Sequence, residues 1–162
     1  MNVAGPAPST LIVKPVPVYT PGVRELLRIA DPDDASIDSY VEKGACHGLY
    51  CEAQLVGVAV LLDTEPGIVE LKNLAITPSC QGQGLGKLLL HHLIAEVRKI
   101  GYTQISVSTG NSSLGPIALY QKVGFRITGI TPDYFIHHYP EPIEENGILC
   151  RDQIHLNLKL RD

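Results

Sequence analysis

Apolar and polar residues alternate along this chain with several different periods, and each change of period marks an element. Leu11-Ile12-Val13-Lys14-Pro15-Val16 is a short β-branched run broken by proline, which predicts an edge strand because proline cannot donate to a ladder. After Pro21, Val23, Leu26, Leu27 and Ala30 recur at helical spacing, and Pro32 requires that helix to stop near Asp31. Asp33 or Asp34 can cap a second short helix with Ile37, Tyr40 and Val41 inward and Gly44 as its stop. Gly48-Leu49-Tyr50-Cys51-Glu52 and the run Leu55 to Leu62 read as two strands of a hairpin, and a third strand follows from Ile68 to Thr77.

The longest periodic segment runs from Gly84 to Ile100. Leu85, Leu88, Leu89, Leu93, Val97 and Ile100 recur at offsets of three and four, which predicts one apolar stripe on a helix ended by Gly101. Thr103 to Thr109 alternates with period two, as a strand does. Asn111, Ser112 or Ser113 can cap the next helix, with Pro116 in its first turn, Ile117, Tyr120 and Val123 on one face, and Gly124 at its end. Phe125 to Thr131 and Gln153 to Leu160 read as strands, separated by a long polar insertion over residues 136–147. Strands, then helix-strand-helix, then strands describe a mixed α/β sheet.

A chain of 162 residues is long enough for one domain with a full hydrophobic core, expected here over residues 10–162. Residues 1–8, Met1-Asn2-Val3-Ala4-Gly5-Pro6-Ala7-Pro8, lack the basic and apolar regions of a secretory signal, so residues 1–9 read as a flexible arm. No apolar run approaches the ~18–20 residues that span a bilayer, so no membrane partner is expected. A net charge of −4 argues against a nucleic-acid partner. Cys46, Cys51, Cys80 and Cys150 are scattered, which points to free thiols in a reducing cytoplasm. His91 and His92 are adjacent on a helix and point about 100° apart. His137, His138 and His155 have no Cys or acidic partner at ligand spacing, so no metal site is expected.

The most informative stretch is Ala75-Ile76-Thr77-Pro78-Ser79-Cys80-Gln81-Gly82-Gln83-Gly84-Leu85-Gly86-Lys87-Leu88. A strand ends in a Pro-Ser turn, glycines follow at alternate positions, and a helix begins at once. Backbone N–H groups at a helix start have no internal partner and favour anions, so the loop is suited to holding a diphosphate. A Walker A loop is excluded, because Gln81 stands where its first glycine belongs and Leu88 replaces the hydroxyl residue. The dinucleotide pattern Gly-x-Gly-x-x-Gly is also absent, since Gly82 and Gly84 lead to Lys87, and Gly84 and Gly86 to Leu89.

Gln81-x-x-Gly84-x-Gly86 resembles the pyrophosphate loop of the GNAT superfamily, the acetyl-CoA-dependent N-acetyltransferases. Ala118-Leu119-Tyr120-Gln121-Lys122-Val123-Gly124-Phe125 is similar to that family's Leu-Tyr-x-x-x-Gly-Phe segment, and the strand Val69 to Ile76 stands in the expected place before the loop. The resemblance covers residues 69–126. It implies the family's fold, a mostly antiparallel central sheet flanked by helices, and transfer of acetyl from acetyl-CoA to a primary amine in a ternary complex. A homodimer, common in the family, goes with it. A non-catalytic acyl-CoA-binding sensor would share the loop, but Glu70 and Tyr120 are both present and favour an enzyme.

The resemblance also suggests roles. Gln81, Gly82, Gln83, Gly84, Leu85, Gly86 and Lys87 would hold the pyrophosphate, the amides of residues 83–87 directly. The backbone of Leu74, Ala75 and Ile76 would pair with the pantetheine arm, and an N–H near Ile76 would meet the oxyanion. Glu70, six residues before Ile76, is the candidate base, with a Glu70–Lys72 surface pair as the plainer reading. Tyr120 would protonate the departing thiolate, or else serve as a core tyrosine. Asn111 matches a pantetheine-binding position and equally suits a helix cap. No cysteine matches a nucleophile position of the family. The 136–147 insertion, with Tyr134, would shape the acceptor pocket or a subunit contact. The acceptor itself is open among small amines, amino-acid derivatives, aminoglycosides and protein N-termini.

Overall fold

The computed structural model describes residues 10–161, and the arm expected over residues 1–9 lies outside them. In chain order the elements are β1 (Leu11–Pro15), α1 (Val23–Ala30), α2 (Asp34–Tyr40), β2 (Ala45–Cys51), β3 (Gln54–Glu65), β4 (Ile68–Ile76), α3 (Leu85–Ile100), β5 (Gln104–Gly110), α4 (Leu114–Val123), β6 (Arg126–Thr131), α5 (Tyr134–His138), β7 (Ile143–Glu145), β8 (Ile148–Cys150) and β9 (Gln153–Lys159). A single 3₁₀ turn, Pro78–Cys80, separates β4 from the glycine loop. Seven strands form one mixed sheet in the order β1-β2-β3-β4-β5-β9-β6, and β7 and β8 form a hairpin of their own. The fold is the mixed, mostly antiparallel sheet with flanking helices that the sequence implied. The pairs β1–β2, β5–β9 and β6–β9 are antiparallel, and β4–β5 is parallel.

The elements fall into two compact units, one comprising the described residues up to Val60 with Asn73–Leu89, the other Leu61–Lys72 with the residues from Leu90 onward. In the first, β1 takes the sheet edge, as its proline requires, and pairs with β2 from Leu11↔Cys51 to Pro15↔His47. Val23, Leu26 and Leu27 of α1 and Ile37, Tyr40 and Val41 at α2 are buried with Leu49, Val56, Val58 and Val60. Asp33 caps α2 by accepting from the Ala35 N–H at 3.2 Å. The β2–β3 link is the very short hairpin link the sequence implied: Glu52 and Ala53 both take left-handed backbone, φ 50° and 66°, the conformation that joins two strands in a two-residue turn. One buried polar group organises the unit. Asn73, 3% exposed, donates through Nδ2 to the Leu27 carbonyl at 2.9 Å and to the Tyr40 hydroxyl at 3.0 Å. The Tyr40 hydroxyl in turn donates to Asp31 Oδ2 at 3.3 Å, and Ser36 donates to the same oxygen at 2.6 Å. One amide thus joins β4 to both helices.

In the second unit the parallel register runs from Ile68↔Gln104 to Leu71↔Val107, and β5 pairs with β9 from Gln104↔Lys159 to Gly110↔Gln153. Alternation buries one face: Val69 and Leu71, Ile105 and Val107, Ile154 and Leu156. The opposite face carries Glu70, Ser106, Ser108, His155 and Asn157, none of them fully buried. Gly124 ends α4 at φ 118°, and the bonds Gly124 N–H to Gln121 and Phe125 N–H to Tyr120 satisfy its last carbonyls.

One expectation needs correction. The buried face of α3 is Leu89, Leu90, Leu93, Ile94 and Val97, whereas Leu88 is 38% and Ile100 72% exposed. At about 100° per residue these five span one side of the helix, Leu88 falls outside it, and Ile100 sits in the last turn beyond the packed surface. The polar 136–147 insertion carries elements of its own. It holds the end of α5, all of β7, and the Asn146-Gly147 turn, both residues at positive φ, that leads into β8.

Candidate active site

Glu70 and Lys72 occur two apart on β4, so strand geometry puts them on one face. Lys72 Nζ stands 3.4 Å from Glu70 Oε1, with the two side chains 30% and 24% exposed. The charge pair considered in the sequence is therefore present, and it holds the Glu70 carboxylate at the sheet surface. The pairing of β4 with β5 ends at Leu71↔Val107, five residues before the end of β4 at Ile76. Past that point the backbone of Leu74, Ala75 and Ile76 has no β5 partner.

Gln81 has a defined role in the loop. Its Nε2 donates to the Ile76 carbonyl at 2.9 Å, which ties the start of the loop to the end of β4. Gly82 and Gly84 then take φ 76° and 80°, backbone that L side chains adopt at a cost, and no atom lies within 4 Å of where a Cβ would stand at either. The first backbone bond of α3 runs from Leu88 N–H to the Gly84 carbonyl, so the N–H groups of Leu85, Gly86 and Lys87 have no acceptor within the helix. Gln81 to Gly84 and Lys87 are exposed, and Leu85 and Gly86 are half-buried. The stretch is exposed, with backbone donors that lack helical acceptors, and that donor set fits a diphosphate.

Tyr120 lies on α4, 6% exposed, its ring 5.5 Å from Phe125 at a tilted angle. Burial pushes its phenol well above the ordinary tyrosine range, so the hydroxyl stays protonated. Cys46 is buried, which pushes its thiol up to about 11, and burial also raises Cys150. These two thiols are poor nucleophiles at neutral pH. Among the described residues, no group of three or more His, Cys, Asp and Glu side chains is placed to hold a metal ion.

Asn111 has work the sequence did not show. Its Oδ1 accepts from the N–H groups of Arg151 at 2.8 Å and Asp152 at 3.0 Å, and its Nδ2 donates to the Leu149 carbonyl at 3.0 Å. The residue clamps the β8–β9 connection. It is not the cap of α4, which is Ser113. Only the second Nδ2 hydrogen is left for a ligand. Ser112 and Ser113 donate their hydroxyls to Glu145 Oε1, both at 3.3 Å, seating the β7–β8 hairpin on the start of α4. Sequence reasoning missed these contacts because their partners lie more than thirty positions away.

A model of the Acetyltransferase (GNAT) family matches residues 19–125. The chain belongs to the GNAT acetyltransferase family. As a member it is an acetyl-CoA-dependent acetyltransferase. Its relatives include the Bacillus subtilis (strain 168) protein named Uncharacterized N-acetyltransferase YvbK, 46% identical over 136 residues, which are 84% of this chain and 88% of that one. A Bacillus subtilis acetyltransferase solved in complex with CoA superposes with a TM-score of 0.89 at 41% identity, over 94% of this chain and 100% of that one. A GNAT family acetyltransferase from Elizabethkingia anophelis with acetyl-CoA bound superposes at 0.88 and 38% identity, over 92% and 97%. In this GNAT chain, the loop and Tyr120 segments fall inside the matched region, as does Glu70.

Proposed function

We propose that this protein transfers acetyl from acetyl-CoA to a primary amine by direct attack in a ternary complex. The observation that carries the reading is the open loop: Gly82 and Gly84 at positive φ, Gln81 anchored to Ile76, and unpartnered amides at the start of α3. Backbone N–H groups of residues 83–87 hold the pyrophosphate, with the Lys87 ammonium adding charge. The free edge of Leu74, Ala75 and Ile76 pairs with the pantetheine arm, and the N–H near Ile76 donates to the developing oxyanion, a contact worth about 3 kcal/mol where such donors have been removed. Asn111 contributes its remaining Nδ2 hydrogen to the same arm.

Glu70 takes the proton of the attacking amine, directly or through one water. Tyr120, kept protonated by burial, gives its proton to the sulfur as it departs. The raised thiols of Cys46 and Cys150 support direct transfer over an acyl-cysteine route. Four free cysteines suit a cytoplasmic protein, and one GNAT domain over residues 10–162 suits the family's homodimer.

The test is release of free CoA thiol with a panel of amines: an alanine-initiated hexapeptide, tyramine, kanamycin and spermidine. At least one should turn over. With the fastest, Glu70→Gln and Tyr120→Phe should each lower kcat by about 10²-fold, the lower end of what general acid–base groups contribute. Wild-type kcat in either variant removes that residue from the mechanism.

A further inference from the structure

We propose that Ser108, His155 and Thr131 form a proton relay that carries the proton lost by the acceptor amine from the Glu70 face of the sheet to solvent. The inference rests on Glu70 as the base. The register places Glu70 opposite Ser106 across the β4–β5 pair, so Ser106 and Ser108 project from β5 on the Glu70 side. Ser108 stands one strand over and two residues along from Glu70, about 8 Å between Cα atoms by strand geometry. That gap is within reach of a substrate amine or a bridging water.

Ser108 pairs with His155 in the β5–β9 ladder, and their side chains meet, Ser108 Oγ lying 2.8 Å from His155 Nδ1. On the other side of the ring, His155 Nε2 lies 2.7 Å from Thr131 Oγ1 on β6. Ser108 and His155 are half-buried and Thr131 is exposed, so the three groups lead from the sheet face to water. Gly129 is the register partner of His155 on β6, and no side chain covers the ring from that position. With hydrogen on Nε2, the imidazole accepts from Ser108 and donates to Thr131. It can take a proton on one nitrogen and release one from the other.

The neighbouring polar row cannot do this. Gln104 donates to Ser106 and Asn157, Ser106 donates to Asn157 at 2.7 Å, and Asn157 donates to Thr128 at 2.7 Å. It consists of amides and hydroxyls with no group that protonates near neutrality. The charged residues on this face include Glu70 and Lys72 on β4, Lys159 on β9 across from Gln104, and, across from Asn157, Arg126 on β6. The hydrogen-bond partners of the His155 ring are the two hydroxyls.

The stoichiometry requires an exit. The acceptor arrives as an ammonium with three protons and leaves as an amide with one, as the N–C bond forms and the C–S bond breaks. One proton departs on the thiol and the other must reach solvent.

The experiment uses the full chain and the fastest amine of the panel above. His155→Ala should lower kcat about 10-fold or more while leaving KM for acetyl-CoA unchanged, and imidazole at tens of millimolar should restore most of the loss. Thr131→Val, at an exposed position, should lower kcat several-fold, and Thr131→Ser should not. Rescue by a diffusible base is a response that a purely structural histidine would not give. A His155→Ala protein with wild-type melting and wild-type kcat overturns the relay, as does a loss of kcat that imidazole leaves untouched. If Glu70→Gln retains wild-type kcat, the base assignment fails separately, and imidazole rescue still decides the role of His155.

Discussion

The Gln81 side-chain amide donates to the main-chain carbonyl of Ile76 at 2.9 Å, joining the start of the glycine loop to the strand end proposed to hold the pantetheine arm. Two parts of the proposed ligand site are thereby held in register by a single bond. Gln81→Ala should weaken CoA binding about 10-fold in calorimetry, with a change in melting temperature of no more than a few degrees, because a partly exposed hydrogen bond contributes only about 1 kcal/mol. Gln81→Glu should weaken it further, since a carboxylate cannot donate to Ile76 and repels the diphosphate.

Gly84 occupies left-handed backbone with open space where a Cβ would go. Substitution therefore meets a conformational penalty and no clash. Gly84→Ala should cost about 1–2 kcal/mol of stability, the penalty for an L residue in that region, and should still fold. CoA affinity should fall much further than stability, because relaxation of the loop redirects its amides. A folded Gly84→Val protein with normal CoA affinity in calorimetry would place the diphosphate elsewhere.

Asn73 links Leu27 and Tyr40 through one buried amide. Asn73→Leu removes both bonds and leaves the Leu27 carbonyl with the Asp31 N–H, with an expected loss of about 2 kcal/mol in urea unfolding. Tyr40→Phe removes the bonds of its hydroxyl to Asn73 and to Asp31 but leaves Asn73 on the Leu27 carbonyl, and should cost about 1–2 kcal/mol.

Burial raises both the Tyr120 phenol and the Cys46 thiol, the latter from its ordinary 9.0 to about 11. For a group whose folded value is raised, the stability it contributes is fully present below the unfolded value and is lost as pH climbs toward the folded one. The wild-type melting temperature should therefore fall from about pH 9 upward. Cys46→Ala should flatten the first part of that fall and Tyr120→Phe the part beyond about pH 10. Thermal scans between pH 7 and pH 11, each variant referenced to its own neutral value, check both slopes.

Much of this protein was determined locally and could be read from the sequence. Helices α1 to α4 and strands β1 to β6 and β9 emerged near their expected places because apolar period, capping residues and glycine stops act over a few neighbours. The glycine loop was legible for the same reason: its donors, its turn and its helix start are contiguous. Tertiary structure alone decided the rest. Nothing local says that β9 inserts between β5 and β6, yet that placement brings His155 to Ser108, 47 positions away, and to Thr131, 24 away. It also took distant partners to turn Asn111 from a prospective cap into a clamp on residues 149–152. Strand pairing joins residues by hydrogen bonds that any backbone can make, so the partner is chosen by how the whole sheet buries its apolar face, and short-range pattern carries no record of that choice.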